Sequence, residues 1–359
     1  MRITLQILAV ASALALPTPA FAWAYPGHRI VGTIADLVLQ AHYPEVYKRV
    51  QGLLTIKGPD GKEVKRTLGE VAVFPDCAKN DPRFCGRVPT QEELDYAARN
   101  KSHGAFHFTD VPIEQHRYKP GSAGTGEIDI VQMIEYAVAQ LRGKSPPQKP
   151  NVNLTDPEAV WLLAHLVGDL HQPLHVGAKY YEKTCRKGVD PNKTGEPPDF
   201  GIDKTVAETQ GGNKILLTAK EPAVGPAEQL HLYWDLTAVA QAMQAVGLHD
   251  SEPEFARLLA GKAPDGWETP GDAGTWAAKW TNEIIPIAAE AHRRLSIRRK
   301  GEPEIKNGKL DCRWQTTLDK SYQDWAKEQA RTQLAKAGFR LAALFVAIFP
   351  EEAKKDEKR

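Results

Sequence analysis

Apolar residues recur at helical spacing along most of the chain, and six stretches show this pattern most clearly. Side chains three and four residues apart share one face of a helix, so this spacing predicts helices with one buried side. The six stretches are residues 29–43, 128–143, 156–171, 226–243, 274–295 and 321–349. We therefore expect an all-α fold that forms one domain.

Residues at the ends of these stretches predict where helices begin and end. Thr155 or Asp156 can cap the third helix, with Pro157 in its first turn, and Pro173 is expected to end or distort it. Strand-like alternation is scarce, and residues 214–220 are the best candidate for a short strand. Three long polar connections are expected at 57–92, 114–126 and 182–212.

The N-terminus has the pattern of a secretion signal. Arg2 precedes an apolar run, and small residues end at Ala22, so cleavage there would make Trp23 the first mature residue. No later apolar run is long enough to span a bilayer, and residues 341–349 fit a buried terminal helix. We expect an exported protein, periplasmic or extracellular, without membrane insertion.

Composition and charge narrow the function classes. The chain has 359 residues, 42% of them hydrophobic and 25% charged, with a formal net charge of +1. This balance argues against a strongly basic protein that binds nucleic acid mainly by neutralising phosphates. The four cysteines favour disulfides in an exported chain and allow three pairings. Our working prediction is Cys77–Cys85 with Cys185–Cys312.

Histidine and aspartate residues recur at a spacing suited to metal binding. His165 and Asp169 stand four residues apart in a helical stretch, and so do His231 and Asp235. Each pair can therefore point at a single ion. His175 follows Pro173, where the chain can turn back toward the same face. Imidazole and carboxylate without sulfur are typical ligands of hydrolytic zinc.

Six motifs together make the functional prediction more specific. They are WAYPGH (23–28), VAVFPD (71–76), FHFTD (106–110), AHLVGDLHQPLH (164–175), GGNKI (211–215) and LHLYWD (230–235). Their content and order resemble those of the single-strand-specific zinc nucleases of the nuclease S1/P1 family. The resemblance implies a mostly helical domain with long loops around a trinuclear zinc cleft.

The resemblance also implies which residues bind the three zinc ions. One ion would be held by Asp76, His107, His165 and Asp169. A second would share Asp169 and take His28 with the α-amino nitrogen and carbonyl oxygen of the mature Trp23. A third would use His175, His231 and Asp235. Asp76 and Asp169 are accordingly the carboxylates that we expect to be catalytic.

The implied reaction is hydrolysis of phosphodiester bonds in single-stranded DNA and RNA, with 3′-nucleotidase activity besides. Two zinc ions sharing a hydroxide can carry out an in-line attack at phosphorus, and the third would stabilise the departing 3′-oxygen to leave a 5′-phosphate. The protein would act as a monomer, with a signal peptide at 1–22, the nuclease domain at 23–350 and a charged tail at 351–359.

Four further residues are candidates for substrate contacts. Phe108 and Asp110 match positions that stack on and hydrogen-bond a base, although Phe108 also fits a core aromatic. Asn213 matches a cleft residue of the family. Lys79 is a candidate for a phosphate contact, with a solvated surface lysine as its alternative.

The chain departs from the family's sequence pattern at two places, and two competing functions remain. Phe74 and Pro75 precede the first aspartate, where the family commonly has Trp-Ala, and the segment between His175 and Gly211 is long for the family. His171 matches no ligand position. A zinc phospholipase C and a non-catalytic exported zinc-binding protein are the competing functions.

Overall fold

The part of the chain that carries the helical pattern is described almost completely. In this computed structural model, the described residues are 23, 25–57, 61–80, 85, 87–193, 205–218, 228–249 and 251–350. The expected signal peptide (1–22) and charged tail (351–359) lie outside them.

Helices make up most of the regular structure, which confirms the all-α prediction. The eighth contains a π-helical segment between two α-helical ones. The helices are α1 (Tyr25–His42), α2 (Pro44–Leu54), α3 (Leu68–Val71), α4 (Phe74–Cys77), α5 (Gln91–Arg99), α6 (Ile130–Leu141), α7 (Asp156–His171), α8 (Leu230–Leu232, Tyr233–Thr237 and Ala238–Gln244), α9 (Glu252–Ala260), α10 (Trp276–Arg293) and α11 (Lys320–Ile348).

Helix α7 begins and ends where the sequence predicts. The Thr155 side chain accepts from the backbone N–H of Glu158, and the Glu158 carboxylate accepts from the N–H of Thr155, which satisfies two donors that the helix leaves unpaired. The helix ends at His171, and a 3₁₀ turn from Pro173 to His175 follows. Pro173 lacks the N–H that would continue the α-helix.

The hydrophobic core is built around α7. Its residues from Glu158 to His171 are all buried, so it is enclosed by other elements rather than exposed on one face. Helices α1, α6, α10 and α11 pack against it, and one cluster of buried apolar residues extends from Trp23 to Phe349. Residues 341–348 belong to α11 and contribute to this core, as expected.

Four small sheets lie beside the helices. Their strands are β1 (Ile56–Lys57), β2 (Glu63–Val64), β3 (Val111–Pro112), β4 (Gly177–Ala178), β5 (Tyr180–Glu182), β6 (Gly188–Val189), β7 (Val206–Glu208), β8 (Ile215–Leu217), β9 (Arg298–Lys306) and β10 (Lys309–Thr316). Among the described residues, the strand orders are β1-β2, β3-β4, β6-β5-β7 and β8-β10-β9.

The β9–β10 hairpin was not expected from the sequence. Strand β9 is exposed along most of its length, so it has no alternation of apolar and polar residues to mark it. The predicted strand within 214–220 is present as β8 and pairs in parallel with β10. The sheet therefore combines one predicted strand, β8, with a hairpin that was not predicted.

Two of the expected polar connections contain regular structure. The connection at 57–92 includes β2, α3 and α4, and the connection at 182–212 includes β6 and β7. Short elements of two to four residues are too brief to show a period in the sequence.

Both disulfides match the working prediction. Cys77 bonds to Cys85 and Cys185 bonds to Cys312, across sequence separations of 8 and 127 residues. The second bond ties the β5–β6 turn to β10. Within the described residues, none of the helices combines the length and the apolar character that a membrane span requires.

Candidate metal centre

Four helical elements bring the central ligand candidates together. His165 and Asp169 lie one turn apart on α7, and both are fully buried. His107 ends a 3₁₀ turn that begins at His103, and Asp76 belongs to α4. His28 stands in the first turn of α1 and stacks on the ring of His165, with 3.7 Å between the ring centroids.

Asp169 is the residue that these side chains share. Its Oδ1 lies 3.2 Å from His28 Nε2, while its Oδ2 lies 3.0 Å from His165 Nε2 and 3.1 Å from His107 Nδ1. Asp76 Oδ1 lies 3.6 Å from His107 Nδ1 and 3.7 Å from His165 Nε2. Two overlapping groups result, and each is compact enough to hold a metal ion.

A separate group forms where the 3₁₀ turn after α7 meets α8. His231 Nε2 lies 3.2 Å from His175 Nε2 and 3.3 Å from Asp235 Oδ2. Asp235 lies in the π-helical segment, where Ala238 N–H bonds to the carbonyl five residues before it, that of Tyr233. Single π turns are frequent at functional sites. These three residues also form a group that could hold a metal ion.

Backbone carbonyls fix the orientation of three of the histidines. In each case Nδ1 lies within hydrogen-bond distance of a carbonyl oxygen. The bonds are His165 to Ala72 at 2.6 Å, His175 to His107 at 2.8 Å and His231 to Gly211 at 2.7 Å. Because an Nδ1–H donor leaves Nε2 with its lone pair in a neutral ring, all three rings present Nε2 as a ligand atom.

Buried polar atoms without a hydrogen bond concentrate in these groups. Among the described residues there are eleven such side-chain atoms, and six belong to the candidate ligands. The six are His28 Nδ1 and Nε2, Asp76 Oδ2, His107 Nε2, Asp169 Oδ1 and Asp235 Oδ2. Buried polar atoms are otherwise almost always paired, so this concentration suits residues that coordinate cations.

The electrostatics of the first two groups favour charged carboxylates and neutral rings at His28 and His107. At His165, burial alone would lower the pKa, but Asp169 and Asp76 outweigh it and raise the pKa. Burial alone would raise the pKa of Asp76, but Lys79 and the neighbouring histidines outweigh it and hold the pKa below its usual range. The pKa of Asp169 is lowered in the same way, with His165 as the main opposing charge. Burial, with Lys79, lowers the pKa of His107 to about 3. Deprotonated imidazole and carboxylate are the forms that bind metal.

In the third group, burial lowers the pKa of His231, whereas the pKa of His175 is raised. Burial alone would lower the pKa of His175, but Asp169 and Asp235 outweigh it and raise the pKa to about 9. The carboxylates therefore stabilise a cation at this position.

Close packing explains two glycines of the motifs. A Cβ on Gly168 would lie 3.0 Å from His28 Nδ1, and a Cβ on Gly211 would lie 2.0 Å from the carbonyl oxygen of Leu174. Gly211 also has a φ of +52°, and its own carbonyl holds His231. Gly211 therefore has to be glycine for the His231 carbonyl contact to form.

Comparison with known proteins identifies the family. A model of the family described as S1/P1 Nuclease matches residues 23–350. The chain belongs to the S1/P1 nuclease family. It is also similar to Endonuclease 3 of Arabidopsis thaliana, with 24% identity over 338 residues that cover 93% of this chain and 92% of that protein. Membership supports hydrolysis of phosphodiester bonds in nucleic acid.

Trp23, where the S1/P1 family match begins, is fixed against the central helix. Its side chain is fully buried, and its Nε1 donates to the carbonyl oxygen of Gly168 at 2.8 Å. Since Gly168 directly precedes Asp169, the indole of Trp23 is held beside the backbone of the residue that carries the shared carboxylate.

The four expected substrate contacts have different surroundings in this S1/P1 nuclease. Phe108 is 41% exposed, which argues against its alternative as a core aromatic. Asp110 is buried, and burial together with Glu208 raises its pKa well above the usual range. Asn213 donates from Nδ2 to the Gln210 carbonyl at 3.0 Å.

Lys79 lies beside Asp76, a candidate metal ligand, rather than on the open surface. Its Nζ lies 2.7 Å from Asp76 Oδ1, and its side chain is 20% exposed. The alternative as a solvated surface lysine is therefore wrong for this S1/P1 nuclease.

Gln172 is a contributor that the sequence analysis missed. It is fully buried; its Nε2 donates to Asp235 Oδ1 at 2.7 Å, and its Oε1 accepts from Leu174 N–H at 2.6 Å. One amide thus links Asp235 to the turn that carries His175. The only signal in the sequence was its position between His171 and Pro173, inside the HQPLH motif.

His171 faces away from the metal groups. Its Nδ1 donates to the Val167 carbonyl at 2.7 Å, and its Nε2 accepts from Arg340 Nη1 at 3.0 Å. Arg340 is itself buried and also binds Glu283. His171 therefore joins α7 to α11 and takes no part in the metal groups.

Proposed function

We propose that the protein is an exported zinc-dependent endonuclease that hydrolyses single-stranded DNA and RNA to 5′-phosphate products and also acts as a 3′-nucleotidase. The observation that carries the proposal is the position of Asp169, which offers one oxygen to each side of a buried histidine cluster. Family membership supplies the reaction class.

The donor set fits zinc. All candidate side-chain ligands are imidazole or carboxylate, and the four cysteines are engaged in disulfides. We assign the ligands of three ions as follows: Asp76, His107, His165 and Asp169; Asp169, His28 and the mature N-terminal amine and carbonyl of Trp23; and His175, His231 and Asp235.

Zinc bound at these positions would supply an activated water for attack at phosphorus and positive charge for the leaving oxygen. The residues of the chain do the positioning. Asp76 and Asp169 are the carboxylates that we place at the reacting centre, and Lys79, which pairs with Asp76, is the cation that we assign to a substrate phosphate. Gln172 keeps Asp235 in place.

The exposed ring of Phe108 supplies a platform for base stacking, which requires an unpaired base and tolerates different sequences. Asp110 and Asn213 complete this side of the cleft as hydrogen-bonding partners. Preference for single strands then follows, because a base within a duplex is not free to stack on protein.

The remaining assignments follow from export. Residues 1–22 would be the signal peptide, 23–350 the nuclease domain and 351–359 a charged tail, and the mature protein would act as a monomer. Two disulfides suit an oxidising compartment outside the cytoplasm.

The test uses the purified mature protein with four substrates, each with and without a chelator. Single-stranded DNA, RNA and 3′-nucleotides should be hydrolysed, and chelation should abolish each activity until zinc is restored. Phosphatidylcholine should remain intact. Zinc-dependent cleavage of the lipid with inert nucleic acid would identify a phospholipase C instead, and bound zinc without any hydrolysis would identify a binding protein.

A further inference from the structure

Positive charge is concentrated in a part of the protein that the metal centre does not use. The turn at 183–187 and the hairpin at 298–316 hold nine basic and three acidic residues. Their net charge is therefore +6, in a chain whose formal net charge is +1. The rest of the chain compensates with acidic residues, so the charge is unevenly distributed.

The register of the hairpin places like charges opposite each other. Lys300 pairs with Arg313, and Lys306 pairs with Lys309, across antiparallel strands β9 and β10. Like charges directly opposite destabilise a sheet. Lys306 is compensated by Glu304 and Asp311, whereas neither Lys300 nor Arg313 forms an ion pair with a carboxylate of the described residues.

The disulfide brings a third basic segment to the same place. Cys185 bonds to Cys312, and the Trp314 indole donates to the Cys185 carbonyl at 3.0 Å. Arg186, next to Cys185, lines a cavity of about 530 Å³ together with Arg298 and Arg299. Arg299 is bound by Glu302 at 2.6 Å, whereas Arg186 and Arg298 have no such partner in the described part of the chain.

Arg298, Lys300 and Arg313 are exposed on one face of the hairpin. The 183–187 turn packs on the other face, where Arg299 donates to the Thr184 carbonyl, and Arg186 reaches the edge of the hairpin beside Arg298. We call these four exposed cations, Arg186, Arg298, Lys300 and Arg313, the hairpin cationic surface. Arg298 and Lys300 are two residues apart on β9 and point to the same side. Arg313 lies directly across from Lys300.

The hairpin is joined directly to the metal centre. Strand β10 pairs with β8, which begins two residues after Asn213, and Trp314 N–H bonds to the Lys214 carbonyl at 3.0 Å. Three residues before Lys214, the carbonyl of Gly211 holds His231. A chain bound on the hairpin would therefore lie on the sheet whose strand β8 directly follows the loop that orients His231.

We propose that the hairpin cationic surface docks the phosphate backbone of the single-stranded nucleic acid whose reacting linkage lies at the metal centre. This inference rests on the proposed function and adds a binding surface outside the cleft. Unpaired arginine and lysine side chains attract a polyanion through release of its counterions. Long strands would gain affinity from this surface, and substrates too short to reach it would gain none.

The test compares a variant with a matched control. The variant is Arg186→Gln, Arg298→Gln, Lys300→Gln and Arg313→Gln; the control removes four exposed cations elsewhere, by Lys57→Gln, Lys65→Gln, Arg257→Gln and Lys262→Gln. KM is measured over a range of salt concentrations for an oligothymidylate of about thirty nucleotides and for a dithymidylate. Binding of the zinc-loaded proteins to a slowly cleaved phosphorothioate strand of the same length is followed by fluorescence anisotropy.

In the variant, KM for the long strand should rise about tenfold at low salt, and its dependence on log salt should fall by about 3, since each phosphate contact contributes about 0.7. Dithymidylate hydrolysis should not change, and the control should match the wild type. An unchanged KM and salt dependence, or an equal loss on both substrates, would overturn the docking surface.

The anisotropy separates this inference from the proposed function. If the wild type cleaves neither substrate, the nuclease proposal fails, yet weaker binding by the variant alone would still support the docking surface. Equal binding by wild type and variant would refute it. Variant-sensitive binding to vesicles of anionic phospholipid, with oligonucleotide binding unchanged, would assign the surface to membranes instead.

Discussion

Asp169 and Gln172 show how single residues of one helix end organise two separate groups of ligands. Asp169 points its two oxygens at different histidines, while Gln172 reaches from the following turn to Asp235. The amide of Gln172 occupies one oxygen of Asp235 and leaves the other, Oδ2, beside His231. An outer hydrogen bond of this kind orients a ligand and tunes its affinity for metal.

Replacing the Gln172 amide should weaken the third zinc site specifically. Gln172→Glu keeps the shape but places a second carboxylate against Asp235, and Gln172→Met removes the hydrogen bonds. Both should lower the affinity for one of three zinc ions by about 10- to 100-fold, as measured by zinc content under increasing chelator. Gln91→Glu is the control, since Gln91 donates to Asp95 on the surface at 2.8 Å. Unchanged affinity for all three ions in both Gln172 variants would contradict this role.

At the scale of elements, one buried carboxylate joins α1 to the start of α3. Asp36 accepts from the backbone N–H of Gly69 at 3.2 Å and is 5% exposed. Burial raises its pKa to about 7, against the lowering effect of the Gly69 and Leu68 N–H groups. The folded protein therefore holds this proton more tightly than the unfolded chain, in which the pKa is near 3.8.

This pKa shift predicts that the stability of the α1–α3 contact decreases as the pH rises. The stability contributed by protonated Asp36 is fully present below its unfolded pKa and is lost as pH rises through about 7. Asp36→Asn does not titrate, so its free energy of unfolding relative to wild type should increase by about 2–3 kcal/mol between pH 5 and pH 8. Urea unfolding at both pH values measures this difference.

The exposed Asp265→Asn is the control for that measurement, and its difference from wild type should be the same at both pH values. A pH-independent difference for Asp36→Asn would show that the carboxyl is already ionised at pH 5.

The sequence predicted the long helices because each buries a face long enough to show helical spacing of its apolar residues. The cap at Thr155 and the stop at Pro173 located both ends of α7. The β9–β10 hairpin was missed because β9 is mostly solvated and so has no apolar alternation. Its usable signal was Asn307-Gly308, whose φ values of 51° and 78° suit a tight hairpin turn.

The sequence predicted the ligand candidates through their spacing and motif order. It did not predict the groups that orient them. His165 with Asp169 and His231 with Asp235 are local pairs that a helix brings together. Gln172 depends on how α8 approaches the end of α7, which no spacing within one segment specifies. The same holds for the carbonyl of Ala72, which orients His165 across 93 residues.

At the scale of the whole molecule, the proposed function couples export to assembly of the metal centre. Trp23, the proposed first residue of the mature chain, is buried against Gly168 and lies within the core rather than at the surface. If cleavage after Ala22 frees the α-amine that completes one zinc site, the precursor has an incomplete centre.

A protein that begins with one additional alanine before Trp23 should therefore lose most activity and about one zinc equivalent, since an amide nitrogen is a poor ligand. Mass spectrometry confirms the N-terminus, and metal analysis with an oligonucleotide assay gives the result. The same alanine added after Arg359 is the control. Full activity and zinc content with the N-terminal alanine would exclude the α-amine as a ligand.

The most direct test of the central claim is the zinc content and nuclease activity of Asp169→Asn. Asp36→Asn is its control, because it also removes a buried carboxylate but lies outside the metal groups. If Asp169 bridges two ions, the variant should retain about one zinc instead of three and cleave single-stranded DNA about a thousandfold more slowly. Asp36→Asn should retain all three. An Asp169→Asn protein with a full complement of zinc and wild-type cleavage would contradict a shared zinc centre at this residue.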